Sequence, residues 1–517
     1  MYGLAAANTM HIVKISRCTV QARVPVHESP DTVETVPRHA AAATVPMIAL
    51  DPDAQTPLVS QIVDGFRRLI TDQTLRPGTR LPSIRAMAAS HAVSVFTVVE
   101  AYDRLVAQGW ITSRSNAGFF VRHRTEAAPP QGEPRRGDLR FDASWYLRQI
   151  FENRNLPVKP GCGWMPDDWL FEDGMRRSLR QFASDGVELG GYGTPHGHMA
   201  LRLLIAESLA EREIPVSADN VLLTQGSSQA LDLIARCLLV PGDTVFVDEP
   251  GYPNLMFMLR FLGAKLVGVP RLPGGYDLAA LEALLVEHRP KAFFTQPRLQ
   301  SPTNSVAPMA QLHRLLQLAE AHDVMLVEND IYADLDPDPR ATLASLDHLR
   351  RTVYVGSFSK TISPNIRVGY LVARRERLDE VAQLKMVSGL TSSDLTERLA
   401  FGALREGRWR KHLKSLRERL ADAHGTVSRQ LAELGFELFN EPKAGMYLWA
   451  RHPDLADSAE LSARAVASGI MLGPGHLFLT GQRPTGWLRF NVAFSDDARL
   501  RLFLHEQIAA QSQTRAC

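Results

Sequence analysis

SFSKTISPNIRVGY, residues 357–370, places a lysine directly after an apolar, strand-like run, TVYVGSF (352–358), and a turn of small residues. A lysine in that position is well placed to form a Schiff base with an aldehyde cofactor. Ser357 and Arg367 flank Lys360 and can hold a phosphate by hydrogen bond and charge. A lysine after a strand is ordinarily just solvated; the string around Lys360 is what singles it out.

Outward from this stretch, apolar runs of strand length alternate with amphipathic helical patterns. VLLT (221–224), TVFVDEP (244–250), KAFFTQP (291–297) and VMLVEND (324–330) are further examples. Short apolar strands separated by helices predict an α/β domain with a mostly parallel sheet covered on both faces. Several loops carry chemistry. TQGSSQALDLIA (224–235) reads as strand, Gly-Ser-Ser turn and helix; backbone N–H groups at such a helix start suit a phosphate, with Ser227 and Ser228 adding hydroxyls. In DEPGYPN (248–254), Tyr252 follows a strand, where its ring can stack on a planar cofactor. YGTPHGHMALR (192–202) offers Tyr192. WLRFNVAF (487–494) offers Arg489, suited to gripping a ligand carboxylate or sulfonate. Plain counterparts exist for each: a helix cap for the serines, a loop aromatic for Tyr252, a surface salt bridge for Arg489.

The whole chain has 517 residues, with 45% hydrophobic and 22% charged, the composition of a soluble globular protein too long for one small core. Its 58 basic and 56 acidic residues nearly cancel, which neither favours nor excludes nucleic acid, since a basic patch on one domain averages away. Cys18, Cys162, Cys237 and Cys517 lie far apart without metal-ligand spacing, so neither a zinc site nor a disulfide framework is expected and a reducing cytoplasm fits. No apolar run is long enough to span a membrane, and the first residues do not form a signal peptide.

The N-terminal third differs from the rest. Residues 1–53 lack periodicity and read as a disordered tail; Met47 stands close before the first structured stretch and offers an alternative start. In 54–124, Leu58, Ile62, Phe66, Leu69 and Ile70 recur at helical spacing, and Pro77-Gly78 ends that element. Two more helices follow Ser83 and Ser94, each a suitable N-cap. Val98, Ala101, Tyr102 and Leu105 share one face of the last. Ile111-Thr112, a turn at 116–118 and Phe119-Phe120-Val121 read as a β-hairpin. The segment holds nine arginines against four acids, a local surplus of 9 − 4 = +5 that phosphate binding needs. Residues 125–150, with Pro129-Pro130, read as a linker, and 151–512 as one large domain.

GTRLPSIRAMAASHAVSVFTVVEAYDRLVAQGWI (78–111) resembles the winged helix-turn-helix of the GntR family. The resemblance implies that Arg85, Ser94 and Thr97 approach double-stranded promoter DNA and that Gly118 belongs to the wing. Arg85 can contact phosphate or guanine, and Ser94 and Thr97 can reach phosphates from a helix N-terminus. Many members carry an arginine after the serine; here Val95 and Phe96 follow, either touching thymine methyls or packing inward. The stretches of the large domain together resemble the class I aminotransferases, enzymes of fold type I that use pyridoxal 5′-phosphate (PLP). The combination resembles the MocR-type subfamily of regulators. That implies a cytoplasmic, head-to-tail homodimer, with Lys360 bound to PLP and exchanging imines with an amine or amino-acid-like effector held by Arg489. It also implies that Tyr192 reaches the neighbouring subunit's cofactor phosphate, and that GCGWMPDDW (161–169) lies near the ligand entrance.

Two departures bear on chemistry. Aminotransferases hold the pyridine nitrogen with an aspartate three residues before a tyrosine that binds the ring hydroxyl. In VENDIYADL (327–335) Tyr332 matches the tyrosine, but the matching position is Asn329, with Asp330 beside it; either the register slides and Asp330 serves, or a neutral amide faces the nitrogen. In SPTN (301–304), Ser301 stands where an asparagine normally contacts the ring hydroxyl. A carboxylate keeps the ring nitrogen protonated and makes PLP an electron sink, which transamination needs and imine exchange needs far less. The expectation is a site that exchanges imines and transaminates poorly. The alternatives are a catalytically active aminotransferase carrying the helix-turn-helix, or a sensor of PLP itself. Effector, target genes and sign of regulation are not legible.

Overall fold

The computed structural model describes residues 48–122 and 156–516, apart from 53, 55, 73, 115–117, 187–189, 339 and 406. The tail up to residue 47 and the linker at 125–150 lie outside the described residues, as do Asn116 and Ala117 of the hairpin turn. The chain divides into two compact units, one ending at Arg136 and the other beginning at Gly137.

The first unit contains α1 (Leu58–Thr71), α2 (Ile84–Ser90), α3 (Val95–Ala107), β1 (Ile111–Arg114) and β2 (Gly118–Val121). Ile62, Val63 and Phe66 on α1 meet Val98, Ala101, Tyr102 and Leu105 on α3, all buried. Spacings of three and four residues place each set on one stripe of its helix. Phe66 and Phe119 both contact the Tyr102 ring edge-on, with centroids 5.6 and 4.9 Å away. The Tyr102 hydroxyl donates to the Pro82 carbonyl at 3.1 Å, so its polar end is satisfied inside the core. Ile48, within the stretch read as tail, is buried in this core, and its N–H donates to His91 Nε2 at 3.1 Å. Asp51 is likewise tied to the Gln61 side chain.

The second unit is built on β3 (Val221–Thr224), β4 (Thr244–Glu249), β5 (Lys265–Leu272), β6 (Gly275–Tyr276), β7 (Ala292–Thr295), β8 (Met325–Asn329), β9 (Thr352–Ser357) and β10 (Gly369–Val372). They form an eight-stranded sheet in the order β3-β10-β9-β8-β7-β4-β5-β6. The pairs β9–β8, β8–β7, β7–β4 and β4–β5 are parallel; β10 runs antiparallel to both β3 and β9, and β6 to β5. Strands β3, β7 and β9 are buried along their whole length, as expected of strands covered on both faces. One face packs on the helices Ser227–Leu238 and Arg375–Gly389 through Leu231, Ile234, Val327 and Val355. Opposite it, Leu223, Tyr354 and Tyr370 belong to a second core, and Phe293 and Leu326 to a third. Beyond this sheet, β11 (Glu437–Leu438), β12 (Tyr447–Arg451), β13 (Gly473–Pro474) and β14 (Trp487–Asn491) form an antiparallel sheet in the order β11-β12-β14-β13. No helix among the described residues is long and apolar enough to cross a membrane.

Candidate functional site

The sheet's direction gathers the sequence candidates. β3, β4, β7, β8 and β9 all point the same way, because the two antiparallel steps through β10 restore β3 to the direction of β9. Asn329 and Ser357 close β8 and β9, and Ser227-Ser228, Tyr252, Ser301, Tyr332 and Lys360 follow the carboxyl ends of these strands. Arg367 precedes the reversed β10 and so stands at the same edge. In open α/β sheets, ligands bind outside this edge.

Lys360 is buried at its amine, and Nζ donates to the Gly163 carbonyl. Its pKa is lowered to about 8, first by burial and next by the positive charges of Arg489 and Arg367. The Tyr332 ring lies beneath the amine, 5.8 Å from Nζ. Tyr332 in turn shares a hydrogen bond of 3.0 Å with the Tyr447 hydroxyl. Gly226, at φ +79°, adopts a backbone conformation that favours glycine, and its carbonyl side opens the twelve-residue helix beginning at Ser227. A Cβ there would meet Arg367 Nη2 at 2.4 Å, so glycine also permits the close approach of the guanidinium. Arg367 donates to the Gln225 carbonyl at 3.1 Å. Tyr252 is half-buried, with Ser228 and Asn254 as hydrogen-bonding neighbours of its hydroxyl. The Ser357 hydroxyl accepts from the Ser359 N–H at 3.2 Å.

Arg489, on β14, is buried rather than on the surface. It donates to the Gly161 carbonyl at 2.7 Å and to Ser301 Oγ at 3.4 Å, and its guanidinium lies over the rings of Tyr447 (4.5 Å) and Phe478 (4.8 Å). Asn491, two residues along β14, donates to the Trp164 carbonyl at 2.7 Å and the Cys162 carbonyl at 3.2 Å. Together these bonds fasten the GCGW loop (161–164) beside Lys360. Sequence reasoning missed Tyr447 and Asn491; the family resemblance pointed to the GCGWMPDDW stretch that holds Gly163, without its partners. Burial pushes the Cys162 thiol up to about 11, so it is a packed thiol and not a reactive one.

Asn329 and Asp330 stand in different surroundings: β8 ends at Asn329, and Asp330 lies just beyond the strand. The Asp330 carboxylate accepts from Arg298 Nε at 3.0 Å, from Arg298 Nη2 and from the Tyr354 hydroxyl at 2.9 Å. Asp330, read above as a cofactor candidate, is thereby committed to a buried ion pair. Asn329 is 1% exposed, and neither atom of its amide has a hydrogen-bond partner. Tyr192 is apart from this cluster in the sense of exposure, at 85%.

In the first unit, Ser94 caps α3: its hydroxyl accepts from the Thr97 N–H at 3.0 Å and lies 2.7 Å from the Thr97 hydroxyl. Val95 and Phe96 are 51% and 74% exposed, which removes the inward-packing alternative within this unit. Arg85 is exposed on α2. Gly118 opens β2 at φ +96°, which favours glycine, and a Cβ there would stand 3.5 Å from Arg80 Nε.

Residues 58–121 match the model of the bacterial regulatory proteins of the gntR family, and residues 166–506 that of aminotransferase class I and II. The probable rhizopine catabolism regulatory protein MocR of Rhizobium meliloti is 30% identical over 83% of this chain and 88% of its own length. The HTH-type transcriptional regulator YdcR of Escherichia coli is 29% identical over 84% of this chain and 94% of its own. Among solved structures, the α-aminoadipate aminotransferase LysN of Thermus thermophilus, complexed with N-(5′-phosphopyridoxyl)-L-leucine, is 25% identical with a TM-score of 0.65. That likeness covers 72% of this chain and 95% of LysN.

Proposed function

This chain belongs to the MocR-type regulators, in which a GntR-family DNA-binding domain precedes a class I and II aminotransferase domain whose cofactor is PLP, and from that premise we propose that it is a transcription regulator gated by a small amine bearing an anionic group. The observation that carries the reading is an amine, Lys360, buried beside a buried guanidinium, Arg489, on a chain that also bears an exposed, arginine-rich helix-turn-helix.

The residues fit the cofactor. PLP bound here supplies an aldehyde carbon that takes primary amines in place of one another. Lys360 is the resident amine, and its lowered pKa keeps a usable neutral fraction near neutral pH. Ser227, Ser228, Ser357 and Arg367 hold the phosphate, with the N–H groups at the start of Ser227–Leu238 contributing. Tyr252 would stack on the ring, Asn329 would face its nitrogen, and Tyr332 and Ser301 would serve its hydroxyl. Arg489 orients the effector's carboxylate or sulfonate. Tyr192, exposed on its own copy, completes the phosphate site of a second copy in a head-to-tail dimer. Arg85, Ser94, Thr97 and the wing at Gly118 meet DNA.

The test is fluorescence anisotropy of the PLP-loaded full chain with DNA from upstream of its own gene, against scrambled DNA in moderate salt. The expected result is clear preference for its own DNA, altered by an amine such as γ-aminobutyrate or taurine by roughly 5-fold or more. No preference, together with keto-acid formation at enzyme-like turnover, would instead establish a working aminotransferase.

A further inference from the structure

We propose that Asn329 is the partner of the cofactor's ring nitrogen and keeps that nitrogen unprotonated, so that the site binds amines without activating their α-carbon. The inference rests on the reading that PLP occupies this site.

The geometry begins with the strand. Asn329 is the last residue of β8, which lies between β7 and β9 in the middle of the sheet, opposite Val355 of β9. Val327, two residues earlier, packs with Val355 against the helix Ser227–Leu238. Side chains two apart on a strand share a face, so Asn329 points to the side of the helix that begins with Ser227 and Ser228. There its amide is buried with both Nδ2 and Oδ1 unpartnered. A buried polar group without a partner in a native fold calls for one. A pyridine nitrogen supplies a single lone pair, which an amide N–H can satisfy.

The two acids adjacent to Asn329 are engaged elsewhere. Glu328, one residue earlier on β8 and so on the other face, accepts from the N–H groups of Leu343 and Ala344. Asp330 accepts from Arg298 and from Tyr354, whose ring belongs to the core on the opposite face of the sheet. A pyridinium in that setting would be desolvated and faced by a neutral amide where a carboxylate would stabilise it; both favour the unprotonated ring. Without the proton, the ring is a poor sink for the electron pair left when a Cα–H bond breaks.

The experiment loads the full chain with PLP labelled with ¹⁵N in the ring and reads the nitrogen by NMR, for the native protein and for Asn329→Asp. The expected native signal is that of an unprotonated pyridine at neutral pH. Asn329→Asp should move it to the protonated position and raise keto-acid formation from an amino-acid donor by about a hundredfold. A protonated nitrogen in the native protein overturns the proposal without any variant, as does an Asn329→Asp protein whose nitrogen does not move. Loading is judged separately, by the visible cofactor band. Absence of that band from the native protein would overturn the functional reading and this one together, whereas a normal band with a protonated nitrogen overturns this one alone.

Discussion

Lys360 shows how burial sets reactivity at the scale of one residue. Its amine is removed from water and flanked by Arg489 and Arg367, which disfavour its ammonium form and bring its pKa down to about 8. A lowered value means that the neutral amine gains over the ammonium as pH rises. Attachment of PLP to the apoprotein, followed by the visible band, should therefore accelerate as pH rises through about 8 and level off above it. An acceleration centred where ordinary lysines titrate would contradict this environment. Lys360→Ala should lose the band while keeping the fold, since the side chain makes one polar contact, to the Gly163 carbonyl; an unchanged spectrum would assign the attachment elsewhere.

At the scale of elements, α3 separates two roles along its length. Its middle, from Val98 to Leu105, is core; its N-terminal turn, with Val95 and Phe96 exposed, is surface. Ser94 fixes where the helix starts. Ser94→Ala removes that cap and should cost about 1 kcal/mol of stability in the first unit, seen as an earlier denaturant midpoint. Arg85→Ala, on exposed α2, should leave stability within about 0.5 kcal/mol but weaken DNA binding and lower its salt slope by about 1. An unaltered slope would take Arg85 out of the phosphate contacts. In the second unit, the helix Arg375–Gly389 contributes the buried Lys385, which donates to the carbonyls of Pro195 and Leu223 at 2.8 Å each. That helix thus fixes the loop after Tyr192 to β3, the strand that leads to Ser227. No short motif announced this lysine, because its partners are backbone carbonyls far away in sequence.

At the scale of the whole molecule, regulation requires that DNA and effector bias the same pair of states. Binding free energies are then reciprocal. If an amine changes the affinity for operator DNA by some factor, saturating operator should change the affinity for that amine by the same factor, in the same direction. Titrating the cofactor's spectrum with the amine, with and without DNA, measures this. An effector affinity indifferent to DNA, alongside a DNA affinity that responds to effector, would mean that the response is not an equilibrium coupling on this chain.

The sequence alone determined what is local. Apolar runs of four to six residues identified β3, β4, β7, β8 and β9; three-four spacing and capping serines identified α1, α2 and α3. These follow from periodicity and from side chains bonding to their own neighbours' backbone. The string around Lys360 likewise stated its chemistry in contiguous residues. Only the tertiary structure shows that Asp330 is paired and that the Asn329 amide is not. The two are adjacent, and the difference depends on where β8 stops and on Arg298 and Tyr354, which lie 32 and 24 residues away. The same holds for Gly163, Tyr447 and Arg489, which meet around Lys360 from separate parts of the chain: a hydrogen bond such as that from Arg489 to Gly161 spans 328 residues, and nothing in the local spacing of either end encodes the other.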